Sequence, residues 1–313
     1  MPESITCNLC GADDYDVVYQ ARDERFRTDE INWSLVRCQE CGLCYLNPRP
    51  TSDEIDRYYP RAYFTTGRDI QSQHRRYAAE ARYLAGLTPG NLLDIGCAEG
   101  DFPAFMRDRG WAVAGFEGSR SALNPHRIEI RRGRFPEDCD FSADSFDAIT
   151  AWAVIEHLHD PMSALRTIHN LLKPGGSLVF LVPNFRSVHS RLARFEDIPR
   201  HLYFFTPDTA RSCLAAAGLD VVDIDFDGTV YPAPGRGALR RLLWHAAGGD
   251  ERGFYEFLHY RTRRERMRSR PLFGALWHLT AAVERVLLAD RPQQWFGVYG
   301  TMVVSAVKPR AAA

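Results

Sequence analysis

From Asn91 to Phe226, short apolar runs alternate with longer segments in which apolar side chains recur every three or four positions. The short runs fall near 91–96, 111–117, 127–131, 146–151, 176–183 and 220–226 and predict strands, with helices between them. A helix is expected ahead of the first strand, over 70–87, and an apolar alternation from Tyr299 to Val307 predicts one more strand. Strand and helix in regular succession is the pattern of a doubly wound, largely parallel α/β sheet.

The stretch between the sixth strand and the last is about 70 residues, longer than a structureless loop in a compact domain. Within it Leu239, Leu242 and Leu243, then Phe254, Phe257 and Leu258, then Leu272, Leu276, Leu279, Val283, Val286 and Leu287 recur at helical spacing. Two or three inserted helices are expected, packed over the carboxyl ends of the strands or, as an open alternative, against a second copy in a homodimer. The basic run Arg261-Thr262-Arg263-Arg264-Glu265-Arg266-Met267-Arg268-Ser269-Arg270 reads as a solvated helix face rather than a phosphate-binding surface. The expected segments are an N-terminal module at 1–50, a connecting helical segment at 51–87, the sheet domain at 88–230, the inserted helices at 231–295, and the last strand and tail at 296–313.

Composition fits one sizeable core with a small appendage: 313 residues, 45% hydrophobic, net charge −1. Near-neutrality implies no bulk attraction to polyanions and counts against a nucleic-acid partner. The longest apolar run, around Leu178 to Val182, is far shorter than the roughly 20 residues of a membrane span. The opening Met1-Pro2-Glu3-Ser4 has no basic and apolar leader, so the expected address is cytoplasmic, with no membrane partner.

Four of the eight cysteines form two knuckles, Cys7-Asn8-Leu9-Cys10 and Cys38-Gln39-Glu40-Cys41, each followed by a glycine. Two such turns brought together supply the four tetrahedral thiolates of a structural zinc site. A segment of about 50 residues has too little core to fold alone, so the metal would supply much of its stability. Cys44, in the strand-like Leu43-Cys44-Tyr45-Leu46, is expected in the core, and Cys97, Cys139 and Cys213 are assigned no thiol chemistry. Asn47-Pro48-Arg49-Pro50-Thr51 reads as a stiff linker and Ser52-Asp53-Glu54-Ile55 as the capped start of a short helix.

The most informative stretch is Leu92-Leu93-Asp94-Ile95-Gly96-Cys97-Ala98-Glu99-Gly100. An apolar run ending in Asp-x-Gly-x-x-x-Gly predicts a buried strand that breaks into a tight turn, where Gly96 and Gly100 let a ligand approach the backbone. The helix expected over Asp101 to Arg109 points its first N–H groups back at that turn. Glu117 ends the next strand and is placed to accept from a ribose diol. The pyrophosphate pattern Gly-x-Gly-x-x-Gly is absent, since Ala98 and Glu99 interrupt it, so an adenosyl ligand without pyrophosphate fits better.

On these residues the chain resembles the class I S-adenosylmethionine (SAM) methyltransferases, over roughly residues 88 to 227. Asp94 to Gly100 is similar to their first motif, Glu117 to their ribose-binding acid, and Ser145-Phe146-Asp147-Ala148-Ile149-Thr150 to their fourth strand. Val154-Ile155-Glu156-His157-Leu158-His159-Asp160-Pro161 and Leu171-Leu172-Lys173-Pro174-Gly175-Gly176 resemble the loop and helix region that follows. The resemblance implies a Rossmann-like seven-stranded sheet whose last strand is antiparallel. It also implies a cofactor pocket including Asp94, Gly96, Cys97, Ala98, Gly100 and Phe102 on the first turn, and Glu117, Gly118 and Ser119 on the second. Phe135 is expected to stack on the adenine and Trp152 to wall the methionine half. Bacterial methyltransferases with an N-terminal zinc module carry a similar Asn-Pro-Arg-Pro-Thr linker and an aromatic run like Tyr58-Tyr59-Pro60-Arg61-Ala62-Tyr63-Phe64, which implies a substrate-side cap or scaffold.

Methyl transfer from a sulfonium needs alignment and, for a hydroxyl or acidic carbon, a base near neutrality. Glu156 and His157, after the fourth strand of the sheet domain, and His201, after the fifth, are the expected catalytic groups, with Tyr203 a weaker candidate. Glu156, His157 and His201 also resemble the metal site of small-RNA 2′-O-methyltransferases. That pattern has a carboxylate three residues before the Glu-His pair, where this chain has Ala153, so base catalysis without an active-site metal is preferred. The expected activity is transfer to an O or C acceptor of a small molecule such as a sugar nucleotide, glycan precursor or secondary metabolite. A zinc-module RNA methyltransferase and a non-catalytic zinc-ribbon scaffold on a vestigial SAM fold remain the alternatives.

Overall fold

The computed structural model describes residues 1–60, 70–119, 122–193, 196–231, 238–249, 254, 271–287 and 290–310. Its main sheet has seven strands in the order β10-β11-β8-β7-β4-β5-β6. These are β4 (Asn91–Ile95), β5 (Ala112–Glu117), β6 (Glu129–Arg132), β7 (Phe146–Trp152), β8 (Leu172–Pro183), β10 (Asp220–Asp225) and β11 (Thr301–Val307). The five strands from β6 to β8 run parallel, and β11 lies antiparallel between β8 and β10. The strand order reverses at β4, whose neighbours are β5 on one side and β7 on the other. In an open α/β sheet a crevice forms there, beyond the carboxyl ends of the strands.

Residue alternation within the strands sorts two cores. Leu93, Ile95, Ile149, Ala151 and Phe180 face one side, against Met162, Leu165 and Ile168 of α3 (Pro161–Leu171) and Leu214 of α5 (Pro207–Ala216). Leu92, Ala148, Trp152, Val179 and Leu181 face the other, against Phe102, Phe105 and Met106 of α2 (Asp101–Arg107) and Leu84. The helix expected over 70–87 is helical as α1 (Ile70–Ala81) and then tightens into a 3₁₀ turn at Arg82–Leu84.

A second sheet of four antiparallel strands holds the N-terminus: β1 (Tyr15–Ala21), β2 (Trp33–Cys38), β3 (Cys44–Leu46) and β9 (Tyr203–Phe204). The fourth strand comes from the segment between β8 and β10, so the N-terminal module is welded to the larger domain by backbone pairing. Its core, with Trp33, Leu35, Tyr45 and Leu46 buried, is continuous with one face of the main sheet. Cys44 is a core residue, as its strand-like surroundings predict. Arg49 in the linker is also buried: its guanidinium bonds Glu3, the His159 carbonyl and the Tyr203 hydroxyl.

The helix expected to start at Ser52 is instead a single 3₁₀ turn, Ile55–Tyr58, without a side-chain cap. Glu54, where a cap is needed, turns outward to the N-terminal ammonium at 2.6 Å. Of the insertion, α6 (Ala238–Ala246), α7 (Pro271–Leu287) and α8 (Asp290–Trp295) are described. The α7 helix buries Trp277 and Glu284 while Leu279 and Val286 stay exposed. The basic run at 261–270, Phe257 and Leu258, and the aromatic run from Arg61 to Phe64 lie outside the described residues. No helix among the described residues is long and apolar enough to cross a membrane.

Candidate cofactor and acceptor site

The turn after β4 is built as its glycines require. Gly96 sits at φ +71°, and a Cβ there would run into the Val154 side chain. Gly100, at φ +83°, opens α2. Ala98 also takes positive φ, at +50°, and its N–H donates to Glu117 Oε2 at 2.8 Å. The other Glu117 oxygen accepts from Ser119 N at 2.7 Å. Glu117 therefore bridges the two turns and keeps lone pairs for a diol, because a carboxylate offers about four acceptor positions. Gly118, exposed beside it, adds no side chain to the approach.

Other residues expected in the pocket play different parts. Cys97 turns its thiol inward against Gly115, and burial pushes that thiol well above its ordinary range, so only its backbone faces the turn. Phe135 is buried edge-on to Phe116, with centroids 5.4 Å apart, rather than lying open as a stacking platform. Trp152 is buried, with Phe102 edge-on at 5.6 Å, and its indole N–H has no partner. Asp94 is almost fully buried, accepts from Thr150 Oγ1 at 2.6 Å, and is pushed well above the usual carboxylate range by burial.

Two residues that the sequence reading passed over stand near Asp94. Glu80 of α1 is wholly buried; one oxygen accepts from Arg76 Nε at 2.6 Å, and the other has no partner. Burial raises its carboxyl to about 7 despite the Arg76 charge. Arg76 lies over the Tyr231 ring at 4.4 Å, and Tyr77 donates to Asp101 at 3.2 Å. In the sequence an Arg and a Glu four apart look like any helix-surface pair; only the fold turns them inward.

On the acceptor side, Glu156 and His157 lie in a 3₁₀ turn at Ile155–His157, directly after β7 and two residues past Val154, which touches the cofactor turn. The structure brings His201 to His157, with centroids 4.7 Å apart and rings nearly perpendicular. Both rings are mostly covered but keep some exposure. His157 Nδ1 lies 3.0 Å from the Arg200 carbonyl and 3.0 Å from the Tyr59 hydroxyl. A carbonyl only accepts, so these partners assign the proton to Nδ1 and leave Nε2 its lone pair. Burial lowers the His157 pKa, and burial together with His157 lowers that of His201 to about 3, so both are neutral at physiological pH.

Glu156 is different again: both carboxylate oxygens are buried without a partner, and burial raises its carboxyl to about 8. Such a group keeps its proton near neutrality unless a cation joins it. Glu156, His157 and His201 do offer one ligand atom each within 4.8 Å of one another. Tyr203 is no catalytic group: it is 1% exposed, and its hydroxyl is held by Arg49 and the His159 carbonyl.

The four knuckle cysteines converge as their spacing predicts, all four sulfurs lying within 4.8 Å of one another. Cys7 and Cys41 are 3.4 Å apart and Cys10 and Cys38 3.5 Å, separations that suit one tetrahedral ion. Burial pushes the Cys7 and Cys41 thiols up. Cys38 is also desolvated, yet the N–H groups of Cys41 and Glu40 and the Cys10 thiol bring it below its ordinary value. Backbone amides aimed at sulfur are the donor set a thiolate-bound cation needs.

A methyltransferase-domain family model matches residues 69–224. The ubiquinone biosynthesis O-methyltransferase of Alkalilimnicola ehrlichii is 34% identical over 125 residues, 37% of this chain and 50% of that one. Its namesake from Ruegeria pomeroyi is 31% identical over 174 residues, 50% of this chain and 69% of that one. The chain thus spans between half and about two thirds of these relatives. The complex between the Haloferax volcanii Trm112 methyltransferase activator and a methyltransferase matches at a TM-score of 0.51 and 20% identity, over 84% of this chain and 100% of that one, a likeness of fold alone. With a matching domain, a relative covered over two thirds of its length and a glycine turn joined to a strand-end acid, the chain belongs to the SAM-dependent methyltransferases.

Proposed function

We propose that this chain moves a methyl group from SAM to an oxygen or carbon of a small molecule, with His157 as the base. SAM supplies an electrophilic methyl whose C–S bond breaks as sulfur takes the electron pair. Glu117 would hold the ribose diol, the backbone around Gly96 and Ala98 would face the adenosyl group, and Arg76 with the orphaned carboxylate oxygen of Glu80 would complement the methionine zwitterion. The acceptor's proton passes to His157 Nε2 as the new bond forms, and His201 keeps the neighbouring face neutral. The observation that carries this reading is the 3.0 Å approach of His157 Nδ1 to the Arg200 carbonyl: an acceptor there draws the ring's proton to Nδ1 and leaves Nε2 as the accepting nitrogen.

The names of the two relatives favour an oxygen acceptor. Net charge −1 favours a small molecule over RNA. The four cysteines would hold a structural Zn²⁺, and a cytoplasmic address accords with reduced thiols. Incubation with radiolabelled SAM and a fractionated small-molecule extract tests the activity. His157→Ala and His201→Ala should abolish most label transfer while SAM binding holds; full transfer in both would leave alignment alone as the mechanism.

A second reading has its own observation. Glu156 has two buried, partnerless oxygens beside two imidazoles, a donor set that suits a divalent cation polarising the acceptor hydroxyl. Turnover surviving prolonged chelation at the active site would exclude it, whereas restoration by Mg²⁺ or Mn²⁺ would favour it over simple base catalysis.

A further inference from the structure

Arg200 is a fully buried arginine adjoining His201 in sequence. Its guanidinium donates to Asp23 in two bonds, at 3.1 and 2.8 Å, to Asp197 Oδ1 from Nε at 2.9 Å, and to the Tyr58 carbonyl at 3.0 Å. Asp23 belongs to the N-terminal module, in the loop after β1, and is itself 0% exposed. The loop wraps around it: Phe26 N, Thr28 N and Thr28 Oγ1 all donate to its carboxylate. A surface loop has no need of a carboxylate saturated to this degree, and burying such an ion pair is expensive unless every bond is made.

The bonds on the other side of Arg200 show what the pair holds. Its carbonyl faces His157 Nδ1, and the carbonyl it grips belongs to Tyr58, next to the Tyr59 whose hydroxyl is the second neighbour of Nδ1. Both groups that direct the His157 ring therefore hang on one guanidinium, which is anchored jointly by Asp197 of its own segment and by Asp23 of a different structural unit. We infer that Asp23 and Arg200 are positioning residues through which the N-terminal module fixes His157 in its Nδ1–H form. The assignment rests on the proposed role of His157 for its catalytic meaning, though the positioning itself does not. It gives the cysteine module a task beyond covering substrate, because the module's loop sets the face of the imidazole that meets the acceptor. The same tautomer would serve a base or a cation ligand alike, since both use Nε2.

The experiment uses the full chain with its metal, ¹⁵N-labelled at histidine, with His157 assigned by comparison with His157→Gln. The parent should show His157 in a single Nδ1–H form. In Asp23→Asn one of the two carboxylates that hold Arg200 loses its charge while Asp197 keeps its own, and the Nδ1–H share should fall measurably below the parent's, towards the mixture of an undirected neutral imidazole. SAM affinity, read by calorimetry, should stay within about twofold, because the cofactor turn lies on other elements. If Asp23→Asn does not fold, Thr28→Val removes one bond to Asp23 and should show the same redistribution to a lesser extent. A His157 spectrum unchanged in the folded variant overturns the inference. Failure of the base assignment is seen separately, as label transfer that survives in His157→Ala with the tautomer intact in the parent.

Discussion

Glu117 accepts two backbone amides before any ligand arrives, so its carboxylate is oriented by the turns it serves. Glu117→Ala should weaken SAM binding by at least tenfold, about 1.4 kcal/mol, with little change in thermal stability. Gly96→Val should do both: positive φ costs a branched residue about 1–2 kcal/mol, and the new side chain meets Val154. Titration gives a further test at this scale. His201 is neutral in the fold down to about 3 but protonates at 6.5 in the unfolded chain, so its contribution is intact above pH 6.5 and declines as pH falls towards 3. Glu156 keeps its proton in the fold up to about 8 but loses it at 4.5 when unfolded, so its contribution is intact below pH 4.5 and declines as pH rises towards 8. For these two groups, stability should be flat between about pH 4.5 and 6.5 and should fall from 6.5 to 8. In Glu156→Gln the alkaline decline should shrink in thermal melts, the remainder coming from Glu80 and Asp94, whose carboxyls burial also raises; a decline equal in the two proteins would mean that Glu156 is ionised in the fold, as a bound cation would hold it. Asp94, Gly96, Glu117, Glu156 and His157 were legible as candidates because they sit at or just past the ends of β4, β5 and β7, whereas His201 lies far beyond the end of β8 and reaches His157 only through the fold. Glu80, Arg200 and Asp23 were not, since burial at a distance makes them matter and their sequence neighbours look ordinary.

At the scale of elements, hydrophobic period located every strand of the main sheet to within a few residues, most firmly the inner ones, because strands covered on both faces, such as β4, β7 and β8, are near-continuously apolar, whereas the edge strands β6 and β10 are largely exposed and carry charges. The two-residue strand β9 escaped, as Tyr203–Phe204 is too short for a period and exists only because β3 offers it an edge. That pairing turns the N-terminal module into a support for the acceptor loop, with Leu202 N bonded to the Glu156 carbonyl and Leu46 N to the Leu202 carbonyl. If the four cysteines carry zinc as proposed, its loss should therefore be felt at Glu156 and His157. Cys38→Ser, or chelation strong enough to strip zinc, should lower the melting temperature by roughly 10 °C and release one zinc per chain. An unaltered melting temperature after demonstrated metal loss would make the knuckles passive.

Taken as a whole molecule, the protein is two sheets, the smaller sharing a core with one face of the larger, whose strand order reverses at β4. The sequence shows a sheet domain and a cysteine module in succession; it does not show that residues 23, 59, 157 and 200 meet, since they are brought together only by tertiary pairing. With a net charge of −1, binding of the acceptor should change little between low and moderate salt, and a steep loss with salt would point to RNA instead. Isothermal titration of the purified chain with SAM, beside Glu117→Ala, tests the account most directly. A micromolar dissociation constant that rises at least tenfold in the variant is the predicted result. Absence of heat in the parent, or equal affinity in both proteins, would contradict it.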